Sequence, residues 1–323
     1  MEVASSALLG RAAGLLLPKL EPLARTLISR RREREEALQL LRVDYRQDYD
    51  FVMPHSHPLL ELSGNHPDDL AAFRAIADPA LAYCAEHNLL EVVETLETQL
   101  ERNLVVIGSP EAAPLARLAF GYRRIHSAAG FEYVGDTVDL PYRWHEDPRD
   151  LHGTCQRLVA DHGWVTRPNW PLVARTDVRT TRRLAPRVDN EGRLSTDWLL
   201  ISVMPNFFTR KALDEGKTIV SVGGTHGTGT RALKLFLRDP KALRQVMQSV
   251  SDRSRAFQVV VEAGDIFHKA SGSAARAIRV HDVAQLPDND DVWHTARRAV
   301  ARQFSDWAAE EVTRNIPYPH ERH

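Results

Sequence analysis

The sequence predicts an α/β protein with a mainly parallel, Rossmann-like sheet flanked by helices and preceded by an N-terminal helical region. Three observations predict this class. Beyond residue 102, short apolar runs recur at 104–107, 198–203, 218–222 and 257–261, as strands buried on both faces require. Segments with helical apolar spacing follow several of these runs. Before residue 103 the apolar residues repeat at helical intervals instead. The expected division is a mainly helical region at 1–102, serving assembly, output or partner binding. An α/β ligand-binding domain follows at 103–323, with an inserted hairpin near 172–197.

In the first region, Ala7 to Leu17 is apolar but interrupted by Arg11, and no basic residue precedes it. It is too short and polar for a membrane span and lacks the charged leader of a signal peptide. It reads as an amphipathic helix that packs on its own domain, with contact to a membrane surface or a partner helix as the alternative. Leu20 to Val43 repeats leucines at helical spacing around Arg30-Arg31-Arg32-Glu33-Arg34-Glu35-Glu36. Interleaved signs mark a solvated helix face, not a nucleic-acid contact. Asp48 to Asp69 is punctuated by Pro54, Pro58, Gly64 and Pro67 and reads as a loop. Helix is expected from about Asp68 to Arg102, broken near Asp78-Pro79, with a packing stripe at Leu89, Val92, Val93, Leu96 and Leu100.

Leu104 to Ile107 opens the second region as a strand. Gly108-Ser109-Pro110 ends it, with Ser109 placed as helix cap and Pro110 as an early helical residue. Phe131 to Leu140 reads as a strand pair or extended segment. Leu172 to Val178 precedes a basic run through Arg187, and Asp189-Asn190-Glu191-Gly192 looks like a tight hairpin turn. Trp198 to Val203 is a strand ending in Met204-Pro205-Asn206. Phe257 to Val261 is another, with Glu262 at its carboxyl end. Ala277 to Val283 reads as an edge strand. A final helix from Asp290 to Asn315 buries Val292, Ala296, Val300, Phe304 and Trp307 on one side.

The 323 residues carry a formal net charge of -1, so no global field draws the protein to nucleic acid or an anionic membrane. Two cysteines, Cys84 and Cys155, form neither a disulfide framework nor a CxxC pair, and a reducing cytoplasm is the expected setting. His55, His57 and Glu61 offer metal-ligand types without helical i,i+4 spacing, so no metal is expected there.

The distinctive stretch is Gly223-Gly224-Thr225-His226-Gly227-Thr228-Gly229-Thr230-Arg231, between an apolar strand and a helix. Glycine permits close backbone approach, and free amides at a helix start favour an anion. The stretch is no P-loop, because Thr230-Arg231 stands where Lys-Ser/Thr belongs. It is no dinucleotide fingerprint, because its glycines run G-x-x-G-x-G. A general anion or ribose cradle remains, or else a glycine turn serving tight helix–sheet packing.

In a parallel sheet, the strand ends Gly108-Ser109, Asn206, the glycine loop and Glu262 would meet in one crevice. The leading expectation is a cytoplasmic regulatory or sensor protein that recognises a small anionic ligand, a nucleotide or phosphorylated metabolite, there. Its contacts would be Gly108, Ser109, Asn206 and Gly223 through Arg231. The alternative is an enzyme of glycosyl transfer or hydrolysis on a nucleoside or sugar-phosphate, with His226 and Glu262 as acid/base and Asn206 orienting substrate. The third reading is an assembly protein working through its N-terminal helices. No cofactor, specific nucleic acid or transmembrane segment is expected.

Overall fold

The computed structural model describes residues 35–43, 49–52, 67–76, 100–110, 113–125, 130–133, 140–144, 172–175, 181–191, 193–250, 252, 255–269, 272–286 and 289–315. The chain has mixed α/β content built on one open sheet. Its strands run in the order β1 (Tyr49–Val52), β2 (Asn103–Ile107), β10 (Thr218–Gly224), β9 (Leu194–Pro205), β11 (Phe257–Lys269) and β12 (Gly272–Gln285), with β8 (Arg187–Val188) also beside β9. Two smaller sheets join β3 (Tyr122–Ile125) to β4 (Gly130–Tyr133), and β5 (Tyr142–Trp144) to β6 (Leu172–Arg175) and β7 (Thr181–Leu184).

The main sheet is mostly antiparallel, which corrects the parallel expectation. Among the described residues, only β1–β2 and β2–β10 pair parallel, whereas β10–β9, β9–β11, β11–β12 and β8–β9 pair antiparallel. The misreading has a physical cause. Layers on both faces bury β9, β10 and the first half of β11, so they read as continuous apolar runs, as parallel strands do. Strand direction is set by the connections, which the runs do not encode. Lys269 pairs with Gly272 across two intervening residues, so β11 and β12 form a hairpin.

Side-chain alternation divides the core into two layers. On one face Leu104, Val106, Ile219, Leu200, Met204 and Val260 pack against α2 (Pro114–Phe120) and α7 (Asp290–Asn315). Phe207 stacks on Trp293 there at 5.8 Å between ring centroids. On the other face Val105, Ile107, Val220, Val222, Leu199, Ile201, Val203 and Val259 meet Leu38 and Leu41, α1 (Pro67–Ile76) through Ala72 and Ile76, and the helices after the glycine loop. Each large apolar side chain so buried contributes about 2 kcal/mol.

Local chemistry explains the helix ends. Asp239 caps α6 (Pro240–Ser249) by accepting from the amides of Lys241 at 2.8 Å and Ala242 at 3.3 Å, with Pro240 entering the first turn. Thr209 caps α3 (Arg210–Asp214) by accepting from Ala212 N at 3.1 Å. α2 starts later than Ser109-Pro110 implies: its cap is Ala113, Pro114 leads it, and left-handed Gly121 ends it. In α7, Trp293, Ala296 and Val300 are buried while Val292 and Phe304 are half-buried; the side chain of Trp307 lies outside the described residues.

Within the N-terminal region, residues 35–40 and α1 are helical, but Tyr49–Val52 forms β1 on the edge of the main sheet rather than a loop. The expected helices before residue 35 and at 77–99 lie outside the described residues, as do His55, His57 and Glu61. Among the described residues, no helix is long and apolar enough to cross a membrane.

Candidate functional site

β10 delivers Gly223 and Gly224 to the glycine loop, and two short helices, α4 (Gly227–Arg231) and α5 (Leu233–Phe236), follow it. A Cβ on Gly223 would come within 2.8 Å of the Gly108 carbonyl oxygen, where β2 ends and Gly108 adopts φ 114°. At Gly224 a Cβ would collide with the Thr230 amide, and at Gly229 with the Trp198 carbonyl. These glycines are thus required by main-chain contacts inside the loop. The Thr230 hydroxyl accepts from Gly224 N at 2.9 Å, and Thr225 N donates to Trp198 O at 2.9 Å.

Asp197 is the centre of this arrangement. It projects from β9 into the loop with its side chain wholly buried. Its Oδ2 accepts from Gly229 N at 2.6 Å. Its Oδ1 accepts from Trp198 N at 2.9 Å, from the Thr225 hydroxyl, and from His226 Nδ1 at 3.1 Å. With the carboxylate oxygen as acceptor, Nδ1 is the donor of this bond and Nε2 is the ring's remaining polar atom. The carboxylate also occupies the position at the helix start where a bound anion was expected. Thr225, Thr228 and Thr230 are buried, whereas His226, Gly227 and Arg231 are half-buried. The His226 side chain keeps 18% of its surface exposed. Arg231 Nη1 reaches Ser273 O at 3.4 Å, joining the loop to β12.

The sequence reading missed Asp197. The available signal is phase: Asp197 shares parity with the buried Leu199, Ile201 and Val203. An acid in register with a buried apolar row needs donors around it.

The other predicted strand ends do not all gather here. β9 is antiparallel to β10, so Asn206 lies at the opposite end of the sheet, seven residues beyond Leu199, roughly 23 Å away. Its amide nitrogen donates to Leu100 O at 2.8 Å and Arg102 O at 2.7 Å, and its Oδ1 accepts from Phe208 N at 3.0 Å. These bonds make Asn206 a bracket between the segment before β2 and the segment after β9. Ser109 stays beside the loop through the Gly108–Gly223 contact, and its carbonyl accepts from Ala113 N at 2.8 Å. Buried Arg117 holds the turn by donating to Pro110 O at 2.8 Å.

Glu262 lies in mid-strand rather than at a strand end, because β11 continues to Lys269. It pairs with Trp198 and shares its face, opposite to that of Asp197. Its Oε1 accepts from Arg187 Nη2 at 2.5 Å, and its Oε2 accepts from Arg279 Nε at 3.0 Å and from Arg279 Nη2. Burial works to raise the Glu262 pKa, but the hydrogen bonds and charges of Arg279 and Arg187 outweigh it and hold the carboxyl below its usual range. Glu262 is therefore ionised and ion-paired, which makes it a poor proton donor. A pocket of about 270 Å³ opens beside it, walled by Leu184, Trp198 and His281.

Two arrangements result: an oriented imidazole on one face and a basic pocket on the other. Among the described residues, no three His, Cys, Asp or Glu side chains gather as a metal-binding set. The chain matches no protein-family model, no curated protein and no solved structure.

Proposed function

We propose that this is a cytoplasmic regulatory or sensor protein that recognises a small anionic ligand, a nucleotide or phosphorylated metabolite, at the rim of the glycine loop. The observation that carries the reading is the Asp197–His226 pair. A wholly buried carboxylate holds a partly exposed imidazole at 3.1 Å and so fixes the orientation of the ring. With the Gly229 amide and Thr225 hydroxyl engaged by Asp197, the half-buried His226 ring and Gly227 would meet the ligand. Recognition would come from side chains more than from a main-chain cradle.

The same pair favours one alternative, an enzyme on a nucleoside or sugar-phosphate in which His226 transfers a proton and Asp197 positions it. Glu262 is not the second group of that enzyme, since it faces the other side of the sheet.

Native mass spectrometry of the purified protein, with a melting screen against nucleotides and sugar phosphates, tests the proposal. A retained or stabilising anion that is lost on His226→Ala supports it. Turnover of that molecule by the wild type and not by the variant would select the enzyme. No retained anion and no shift across the panel would overturn both readings.

A further inference from the structure

We infer that the pocket between β8, β9, β11 and β12 is a second binding site, for a small molecule bearing a carboxylate or phosphate oxyanion. This site is independent of the glycine loop and does not rest on the function proposed for it.

The argument begins with unequal charge. Arg187 and Arg279 both meet one carboxylate, that of Glu262, and so leave a net positive charge between them. Neither guanidinium is used up by that contact. Each carries five N–H groups, of which Glu262 takes one from Arg187 and two from Arg279. The Arg187 and Arg279 side chains keep 65% and 68% of their surface exposed, while that of Glu262 keeps 11%. The carboxylate is thus an internal anchor that spreads the two forks at the pocket, and their remaining donors match the oxygens of a carboxylate or phosphate.

The walls limit the rest of the ligand. Trp198 lies edge-on to His281 at 5.1 Å between centroids, and its indole N–H donates to Ala185 O at 2.9 Å. What Trp198 presents to the pocket is therefore apolar, as is Leu184. A volume of about 270 Å³ is just below the smallest ordinary ligand pockets, about 300 Å³, so the guest is small.

Isothermal titration of the full chain with inorganic phosphate, and separately with acetate, tests the inference. Saturable binding of either supports the site and identifies which oxyanion it takes; binding of both identifies the shared chemistry. Arg279→Gln and Arg187→Gln, both at exposed side chains, are each expected to weaken binding about tenfold. His226→Ala should leave it unchanged. Saturation by neither anion, or undiminished binding in the Arg187→Gln/Arg279→Gln double variant, would overturn the inference. So would binding lost in His226→Ala but kept in the arginine variants, an outcome that leaves the loop reading standing.

Discussion

Asp197 and Glu262 lie one register step apart on paired strands, Asp197 opposite Ala263 and Trp198 opposite Glu262, yet they face opposite sides of the sheet. Asp197 is sealed and collects main-chain amides, a hydroxyl and an imidazole. Glu262 is nearly buried but meets two cations that are themselves mostly in water. The difference teaches what each carboxylate is for. A carboxylate satisfied by main-chain donors fixes the path of the backbone. A carboxylate satisfied by exposed guanidiniums fixes only where those side chains point, and water screens the attraction.

Stability measurements can break this contrast, beginning with the loop. Gly229→Ala drives a Cβ into the Trp198 carbonyl and should cost about 4 kcal/mol in urea unfolding. A loss below about 1 kcal/mol would show that the loop has room which the contact denies. Next comes Asp197→Asn, which keeps the shape but places an amide donor among donors. An expected loss of about 3 kcal/mol follows from stranding a buried polar group.

Asn206→Ala sharpens the comparison from the far end of the sheet. It removes hydrogen bonds to two carbonyls and one amide, for about 2 kcal/mol. Anion binding at either site should survive in the folded variant, and its loss there would reconnect Asn206 with a ligand.

Glu262→Gln should cost only about 0.5 kcal/mol near neutral pH, because both partners are exposed. Its sign with pH is definite. The folded carboxyl has a pKa below the ordinary value of 4.5, so its stabilisation is complete above that pH and is lost as pH falls through the folded value. The stability gap between wild type and variant should therefore be flat near neutrality and close below about pH 4.5. A gap that widens on acidification would contradict the ion-paired geometry. The smallest effect belongs to Ser109→Ala: its carbonyl makes the contact to Ala113, so a change within about 0.5 kcal/mol is expected.

Legibility in the sequence followed the range of the interaction. The apolar runs at β2, β9, β10 and β11 and the span of α7 were readable because burial and helical phase act over a few residues. β1 was not, since Tyr49–Val52 is short, holds Asp50, and stands close to prolines. The glycine loop was visible as a peculiarity, and its lining residue Asp197 was hidden inside a strand. Its partners at Thr225, His226 and Gly229 lie 28 to 32 residues away along the chain.

The order of residues alone determined where β2, β9, β10, β11 and the last helix form, and that a glycine-rich turn follows β10, for these rest on neighbours in the chain. Only the tertiary structure decided that β9 runs against β10, that Asn206 ends up far from the loop, and that Asp197 and Glu262 look in opposite directions. Those outcomes depend on strand direction and on alternation across the pleat, and neither can be read until the strands have been paired.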